Sequence, residues 1–264
     1  MATLIYIGGY GRSGSTLLEY LMTANPKLVA CGEVASCLRT TRKSRCTCRQ
    51  PVKECPVWDL FFSPSSQASG WTHRNLTLAL LEHVSGDYQL MVDSSKTAWA
   101  SMGMPFRLKQ RLGQNFHLIH IVRDPRAVCW SLIQGERKSP ALYHRTLRCV
   151  SSTIGWYLAN LGCEFFRLFY SAQYVRVRYE DLARSPDEVL QKLFSRLLPD
   201  IPWDPEAIGN NNNRHQLHGN RMRKRQLSIR TVQEDIRWRN EMPLSYRRLV
   251  ATLSWLLRSR YRYS

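Results

Sequence analysis

Long apolar runs are missing from this sequence of 264 residues, and so is the pattern of a secretory leader. No stretch approaches the roughly 18 uncharged apolar residues that a transmembrane helix needs. Residues 1–22 lack a basic segment followed by a long apolar one, which would indicate a signal peptide. We therefore expect a soluble cytoplasmic protein whose chain starts directly on its first strand, without a stem or anchor.

Acidic residues are scarce: 20 Asp and Glu stand against 38 Lys and Arg, for a formal net charge of +18. This charge indicates an anionic partner, such as nucleic acid, a membrane surface, or a ligand bearing phosphate or sulfate. Hydrophobic residues make up 44% of the chain, which suffices for a packed core and excludes a disordered protein. The length fits one large α/β domain or two small ones.

Strand patterns alternate with helix patterns along the chain. The predicted strands are Thr3–Gly8, Leu90–Val92, Phe116–Val122 and Tyr174–Arg178. The predicted helices are Ser15–Ala24, Pro125–Leu132, Leu142–Tyr170 (as one helix or two) and Pro186–Leu198. This alternation predicts an α/β fold with a central parallel sheet flanked by helices. Residues 44–69 and 210–225 are rich in polar, Pro or Cys residues and are predicted to be irregular.

A phosphate-binding turn follows the first strand. Residues 9–16 read GYGRSGST and match the nucleotide-binding pattern G-x-x-x-x-G-K-[ST], except that Ser15 replaces the lysine. Glycines let the backbone wrap an anion, and amides at the helix N-terminus point at it. Without the lysine the turn fits a γ-phosphate poorly, although Arg12 could supply the charge. The alternative is a plain Gly/Ser turn before a helix.

A second candidate anion site follows the third predicted strand. Arg123 comes at the carboxyl end of that strand, the sheet edge where ligands bind in open α/β folds. Ser131 lies two turns into the next helix and could share an anion with it. The alternative is that Arg123 merely pairs with Asp124 or with a helix end.

Together these segments, RSGSTLL at 12–18 and VRDPRAVCWS at 122–131, closely resemble the two signatures of sulfotransferases that use 3′-phosphoadenosine 5′-phosphosulfate (PAPS). In that family the first loop binds the 5′-phosphosulfate, and the Arg and Ser of the second bind the 3′-phosphate. The resemblance explains the absent lysine, because the donor has no γ-phosphate and the reaction needs no magnesium; we assign no metal ligands to the site. The implied contacts are Gly11, Arg12, Ser13, Gly14, Ser15, Thr16 and Leu17 for the 5′ end, and Arg123 and Ser131 for the 3′ end.

The resemblance extends further along the chain. Tyr179, in YEDL after the last predicted strand, resembles the adenine-contacting position. Residues 218–223 resemble the late loop that closes over the nucleotide, which makes Arg221, Arg223 and Lys224 candidate 3′-phosphate contacts. The implied architecture is one three-layer, P-loop-like domain over 1–264. A Cys-rich insertion lies at about 37–71, and a basic helical segment at about 243–264.

Sulfuryl transfer needs a base for the acceptor hydroxyl and cations for the developing negative charge. The Gly-Glu at 32–33 is placed as in tyrosylprotein and some carbohydrate sulfotransferases, which implies that Glu33 is the base. Lys96, after the second strand, also resembles the tyrosylprotein enzymes, and with Arg12 it is predicted to bind the migrating group. The alternatives are a helix-start Glu and a solvated Lys. His117 and His120 fit a buried strand better than a catalytic site.

The cysteine cluster leaves three interpretations open. Four thiolates could bind zinc, two could form a disulfide, or all could be free thiols in an insertion beside the substrate. The spacing C-x-C-x6-C lacks the paired C-x2-C signal that would favour zinc. The four cysteines considered are Cys37, Cys46, Cys48 and Cys55.

The basic C-terminal segment 246–263 has four leucines on one predicted helical face: Leu249, Leu253, Leu256 and Leu257. Such a helix usually packs on its own domain, and contact with an anionic membrane is the second interpretation.

The predicted function is transfer of a sulfuryl group from PAPS to a hydroxyl of a carbohydrate, glycolipid or peptide tyrosine. One interpretation of the positive net charge is that this acceptor is itself acidic. The alternatives are a P-loop small-molecule kinase, disfavoured by Ser15, and a nucleic-acid-binding protein, for which no recognition motif is present.

Overall fold

The computed structural model describes residues 2–41, 44–62, 70–135, 142–197, 199, 203–204, 213–220, 223 and 232–263. Five parallel strands form its central sheet in the order β2-β3-β1-β4-β5. The strands are β1 (Thr3–Gly8), β2 (Leu28–Ala30), β3 (Leu90–Asp93), β4 (Phe116–Val122) and β5 (Tyr174–Arg178). The predicted α/β class and parallel sheet are confirmed. The sequence reading missed β2, because three residues are too few to show a strand pattern.

Eleven α-helices occur in the described residues, and none combines the length and apolar composition that crossing a bilayer requires. The first six are α1 (Ser15–Met22), α2 (Val34–Cys37), α3 (His73–Val84), α4 (Met104–Leu112), α5 (Pro125–Gln134) and α6 (Leu142–Phe169). The others are α7 (Tyr179–Arg184), α8 (Pro186–Leu197), α9 (Trp238–Glu241), α10 (Leu244–Leu253) and α11 (Trp255–Arg260). The segment 142–169 is thus one helix.

Alternate residues of β1 enter two different cores, because successive strand side chains point to opposite faces. Leu4 and Tyr6 pack with α3, α4 and the C-terminal half of α6. Ile5 and Ile7 pack with α1, α7 and α8. The sheet is therefore covered on both faces, and its carboxyl edge is left to the loops.

The C-terminal segment differs from the single amphipathic helix that the leucine spacing predicts. Ser254 separates α10 from α11, so the leucines do not share one face. Leu257 is buried, whereas Leu253 and Leu256 are exposed. Beyond α11, the buried Tyr263 donates a hydrogen bond to Glu180 Oε2 (2.7 Å), which fastens the segment to α7.

His120 in β4 is a satisfied core histidine, as the sequence predicts. Its Nε2 lies 2.7 Å from Asn160 Oδ1 and its Nδ1 lies 2.7 Å from the Tyr174 hydroxyl. The Asn160 oxygen can only accept, so Nε2 donates to it, and in a neutral ring Nδ1 is then the acceptor that faces the Tyr174 hydroxyl. Burial lowers the pKa of His120 to about 4.

This burial predicts a pH dependence of stability. The unfolded chain takes up a proton on this ring near pH 6.5, whereas the folded chain does so only near pH 4. The free energy of unfolding should fall as the pH falls through this window, by about 3 kcal/mol from this residue. Denaturant unfolding of the wild type and His120→Gln measures the difference between their pH profiles. Equal slopes between pH 6.5 and 4, or a ring that titrates near 6.5 by NMR, would contradict the assignment.

Candidate active site

The carboxyl ends of β1, β3, β4 and β5 meet at one edge of the sheet because the strands are parallel. A cleft of about 930 Å³ opens there. The residues predicted from the sequence that line it are Gly11, Arg12, Gly14, Ser15, Thr16, Leu17, Glu33, Lys96, Arg123, Ser131 and Tyr179. Further lining residues are Ser36, Arg39, Leu132, His218, Gly219, Asn220 and the run Gln233, Glu234, Asp235, Ile236 and Arg237.

The turn between β1 and α1 wraps the floor of the cleft. Gly14 has a left-handed backbone (φ 95°) and comes directly before α1, whose first three residues line the cleft. A Cβ on Gly14 would lie 2.5 Å from the Tyr179 ring, so glycine is required here for the close approach. Arg12 also has a positive φ of 68°. The turn thus has the open backbone that binds phosphate groups.

Arg123 joins three segments at the end of β4. Its Nη1 donates to the Arg12 carbonyl (3.1 Å), and its Nη2 donates to the Asp235 carbonyl (3.0 Å). The Asp235 carboxylate lies 3.3 Å away as an ion pair. The guanidinium also stacks over the Tyr179 ring, 4.2 Å from its centroid. Arg123 therefore pairs with Asp235 and not with the adjacent Asp124, whose carboxylate binds Arg126. It holds the turn, β4 and the 232–237 segment in one arrangement.

Arg12 lies beside Arg123 and contacts the second motif directly. Its Nε donates to Ser131 Oγ (3.0 Å), and its Nη2 donates to the Ser131 carbonyl (3.2 Å). Burial and the positive charge of Arg123 lower the pKa of Arg12. Two neighbouring guanidinium groups repel each other, and an anion between them would relieve that repulsion. The sequence groups Arg12 with the 5′ end, whereas its contacts also link it to Ser131.

Glu33 and Lys96 form an ion pair on the opposite wall. The Lys96 ammonium bonds Glu33 Oε1, and the Ser36 hydroxyl donates to Oε2 (3.2 Å). Glu33 comes directly before α2, and Lys96 has a left-handed backbone (φ 69°) after β3. Both side chains are partly exposed to the cleft, so Lys96 is not a solvated loop residue.

Two buried carboxylates fix the loops that carry this pair. Asp93 accepts from Thr77 Oγ1 (3.2 Å) and from the Ser95 amide (2.9 Å), and its Oδ2 lies 3.0 Å from His73 Nε2. Glu19 accepts from the Gly32 amide (2.6 Å) and the Ser94 hydroxyl (2.8 Å). Burial raises the pKa of Glu19 to about 7. Asp93 and Glu19 are therefore positioning groups beneath the cleft.

Two predicted contacts stand apart from the cleft lining, and two more lie outside the described residues. Ser13 is fully buried, and its Oγ has no hydrogen-bond partner among the described residues. Arg223 donates to the Gly219 carbonyl (2.8 Å) and does not line the cleft. Arg221 and Lys224 lie outside the described residues.

Sequence reasoning missed the 233–237 wall and the polar residues Ser36 and Arg39. Asp235 is the principal omission, because it pairs with Arg123 and its amide donates to the Tyr179 hydroxyl (3.1 Å). Arg237 bonds the same carboxylate (2.8 Å), and the two arginines hold the pKa of Asp235 down at about 2. The segment has no sequence motif that would have identified it.

Comparisons with known proteins identify the family of the chain. The model of the family described as "Sulfotransferase family" matches residues 5–205, and the chain belongs to this family. A Caenorhabditis briggsae protein named "Putative protein-tyrosine sulfotransferase" is 26% identical over 217 residues, covering 82% of this chain and 70% of that protein.

Two solved structures share the fold. A sulfotransferase domain from the curacin biosynthetic pathway superposes with a TM-score of 0.58 at 19% identity, covering 100% of this chain and 98% of that one. A mouse sulfotransferase complexed with PAP gives a TM-score of 0.58 at 12% identity, covering 100% and 89%. The protein is therefore a sulfotransferase by family, with the α/β fold of its structural neighbours.

The crowded turn yields a prediction about stability. Gly14→Ala should lower the free energy of unfolding by about 1–3 kcal/mol, because it adds backbone strain and a clash with Tyr179. Gly11→Ala is the matched control: its Cβ would meet no atom within 4 Å, and its effect should stay within about 0.5 kcal/mol. Denaturant unfolding measures both. Equal effects would contradict the described geometry of the turn.

Proposed function

We propose that this sulfotransferase moves the sulfuryl group of PAPS to an acceptor hydroxyl. The observation that carries the proposal is the meeting of a lysine-free phosphate turn with Arg12, Arg123 and Ser131 in one cleft. A turn without the lysine suits a donor that carries sulfate where a nucleoside triphosphate carries its outer phosphates. Anion-binding side chains from two neighbouring motifs suit a nucleotide that is phosphorylated at two positions.

The cleft fits the donor by the chemistry of its lining. The turn, with Arg12 and the amides from Gly14 to Leu17, would bind the 5′-phosphosulfate. Arg123 and Ser131 would bind the 3′-phosphate, and Tyr179 would contact the adenine. Among the described residues the buried Ser13 hydroxyl has no hydrogen-bond partner, and it would donate to the same anion. The mouse neighbour's complex with PAP, the product left when PAPS gives up its sulfuryl group, supports this proposal.

The bound donor supplies a sulfuryl group whose sulfur is open to in-line attack by a hydroxyl oxygen. Glu33 would take the proton of that hydroxyl, because its carboxylate is exposed to the cleft and can only accept while ionised. Lys96, which contacts Glu33, would stabilise negative charge on the transferred group, and Arg12 would stabilise it on the leaving phosphate. The chain's own residues thus provide both proton acceptance and charge neutralisation.

The acceptor class is proposed to be a peptide tyrosine or a carbohydrate hydroxyl, free or on a glycolipid. The Glu33–Lys96 pair lies on the wall away from Arg123 and would meet the acceptor there. The name of the Caenorhabditis briggsae relative supports the tyrosine option. Labelled PAPS offered with tyrosine peptides, glycans and glycolipids distinguishes these acceptors. If none of these acceptors becomes labelled, the acceptor assignment is wrong.

Donor binding should depend on Arg123 and not on magnesium. Arg123→Ala should weaken PAP binding about 10- to 100-fold, because a charge-assisted contact to phosphate is lost. Isothermal titration in the presence of EDTA measures the affinity. The control is Arg196→Ala, an exposed arginine on α8, which should bind as the wild type does. PAP binding that requires magnesium, or that survives in Arg123→Ala, would contradict the proposal.

The base assignment predicts a separation of binding from turnover. Glu33→Gln should lower kcat by about 100-fold or more, because no carboxylate accepts the acceptor's proton. Its PAP affinity should remain near that of the wild type. Glu188→Gln, on the exposed surface of α8, is the matched control and should retain full turnover. A Glu33→Gln enzyme that keeps most of its rate would show that another group is the base.

A further inference from the structure

Three cysteines and a histidine come together away from the cleft. The four ligand atoms, three Sγ and one imidazole nitrogen, all lie within 4.8 Å of one another. None of the four residues lines the sulfotransferase cleft. We call this group the Cys3His cluster; it consists of Cys46, Cys48, Cys55 and His215.

We propose that the Cys3His cluster binds one structural zinc ion. Three thiolates and one imidazole form a ligand set that selects zinc, with four-coordinate tetrahedral geometry in structural sites. With zinc–sulfur bonds of about 2.3 Å and zinc–nitrogen bonds of about 2.0–2.1 Å, a nitrogen and a sulfur ligand of a tetrahedron lie about 3.6 Å apart. His215 Nδ1 lies 3.2 Å from Cys55 Sγ and 3.9 Å from Cys46 Sγ. These separations leave room for an ion at the centre after small adjustments.

The surroundings of the sulfur atoms favour bound thiolates. Each sulfur accepts a backbone hydrogen bond from the residue two positions further on: Cys46 from Cys48, Cys48 from Gln50, and Cys55 from Val57. Backbone donors of this kind orient and stabilise metal-bound thiolates. Cys46 and Cys55 are buried, and Cys48 is partly exposed. A disulfide would use only two of the sulfur atoms, and it would give no reason for the third thiol and the imidazole to lie so close to them.

The fourth ligand comes from a distant part of the chain, 160 residues beyond Cys55. The amide of His215 donates to the Ala30 carbonyl at the end of β2 (2.8 Å), so the histidine is fixed to the edge of the sheet. Its carbonyl accepts from Trp58 Nε1 (2.6 Å), and Thr47 Oγ1 donates to the Arg214 carbonyl (2.7 Å). The ion would therefore join the insertion to the segment that carries the cleft residues 218–220.

The structure changes the four-thiolate interpretation of the sequence. Cys37, which that interpretation included, is not a member of the cluster, and its Sγ donates to the Glu33 carbonyl (3.4 Å). His215 takes its place. Cys37 is buried like Cys46 and Cys55, which makes Cys37→Ser a matched control.

The test is the zinc content of the purified full-length protein, measured by mass spectrometry of the metal against protein concentration. The wild type and Cys37→Ser should each contain one zinc ion per chain. Cys55→Ser and His215→Ala should lose most of it. Wild-type protein with no zinc after supply of zinc during expression would overturn the proposal. So would a Cys46–Cys55 disulfide found after alkylation, or zinc retained in both ligand variants.

A second measurement does not depend on the variants folding. Cobalt loaded into the wild type should show thiolate-to-cobalt charge-transfer bands and the intense visible absorption of tetrahedral coordination. Their absence would contradict a Cys3His site. Zinc displacement should reverse the spectrum and raise the melting temperature above that of metal-free protein. Neither donor nor acceptor enters these measurements, so they are independent of the proposed sulfuryl transfer.

Discussion

The guanidinium of Arg123 is the contact on which the site depends. It bonds the carbonyl of Arg12, pairs with Asp235 and stacks over Tyr179, so one side chain links the ends of β1, β4 and β5 to the 232–237 segment. The group is almost fully buried, and removing its partners would leave a charge without compensation. Its neighbours hold it at the lining of the cleft. A single residue thus sets the arrangement of the turn and supplies part of its positive charge.

Local patterns were sufficient for much of the fold. The apolar run 116–122 and the turn at 9–16 appear in the structure where the sequence placed them, because burial on both faces of a parallel sheet leaves a strong local signal. The strand Leu28–Ala30 left no such signal. The split of the C-terminal segment at Ser254 was also unpredictable from leucine spacing, since tertiary packing of Tyr261 and Tyr263 decides which side chains are buried.

The candidate site was predictable where its residues sit in motifs and not where distant segments meet. Arg12, Ser131 and Tyr179 follow strands or begin helices, so topology brings them to one edge. Asp235 lies 112 positions along the chain from its partner Arg123, and His215 lies 160 positions from Cys55. No local spacing encodes such pairs. Of the basic residues that produce the net charge of +18, only a few line the cleft, and the others lie elsewhere on the chain.

We propose that the cleft transfers a sulfuryl group and not a phosphoryl group. This is tested by following sulfur-labelled PAPS with an acceptor panel in EDTA, while the release of PAP is recorded alongside the label in the acceptor. One PAP should be released for each labelled acceptor molecule, and EDTA should leave the rate unchanged. Magnesium-dependent phosphorylation of an acceptor by ATP, with no release of PAP from PAPS, would overturn the proposal.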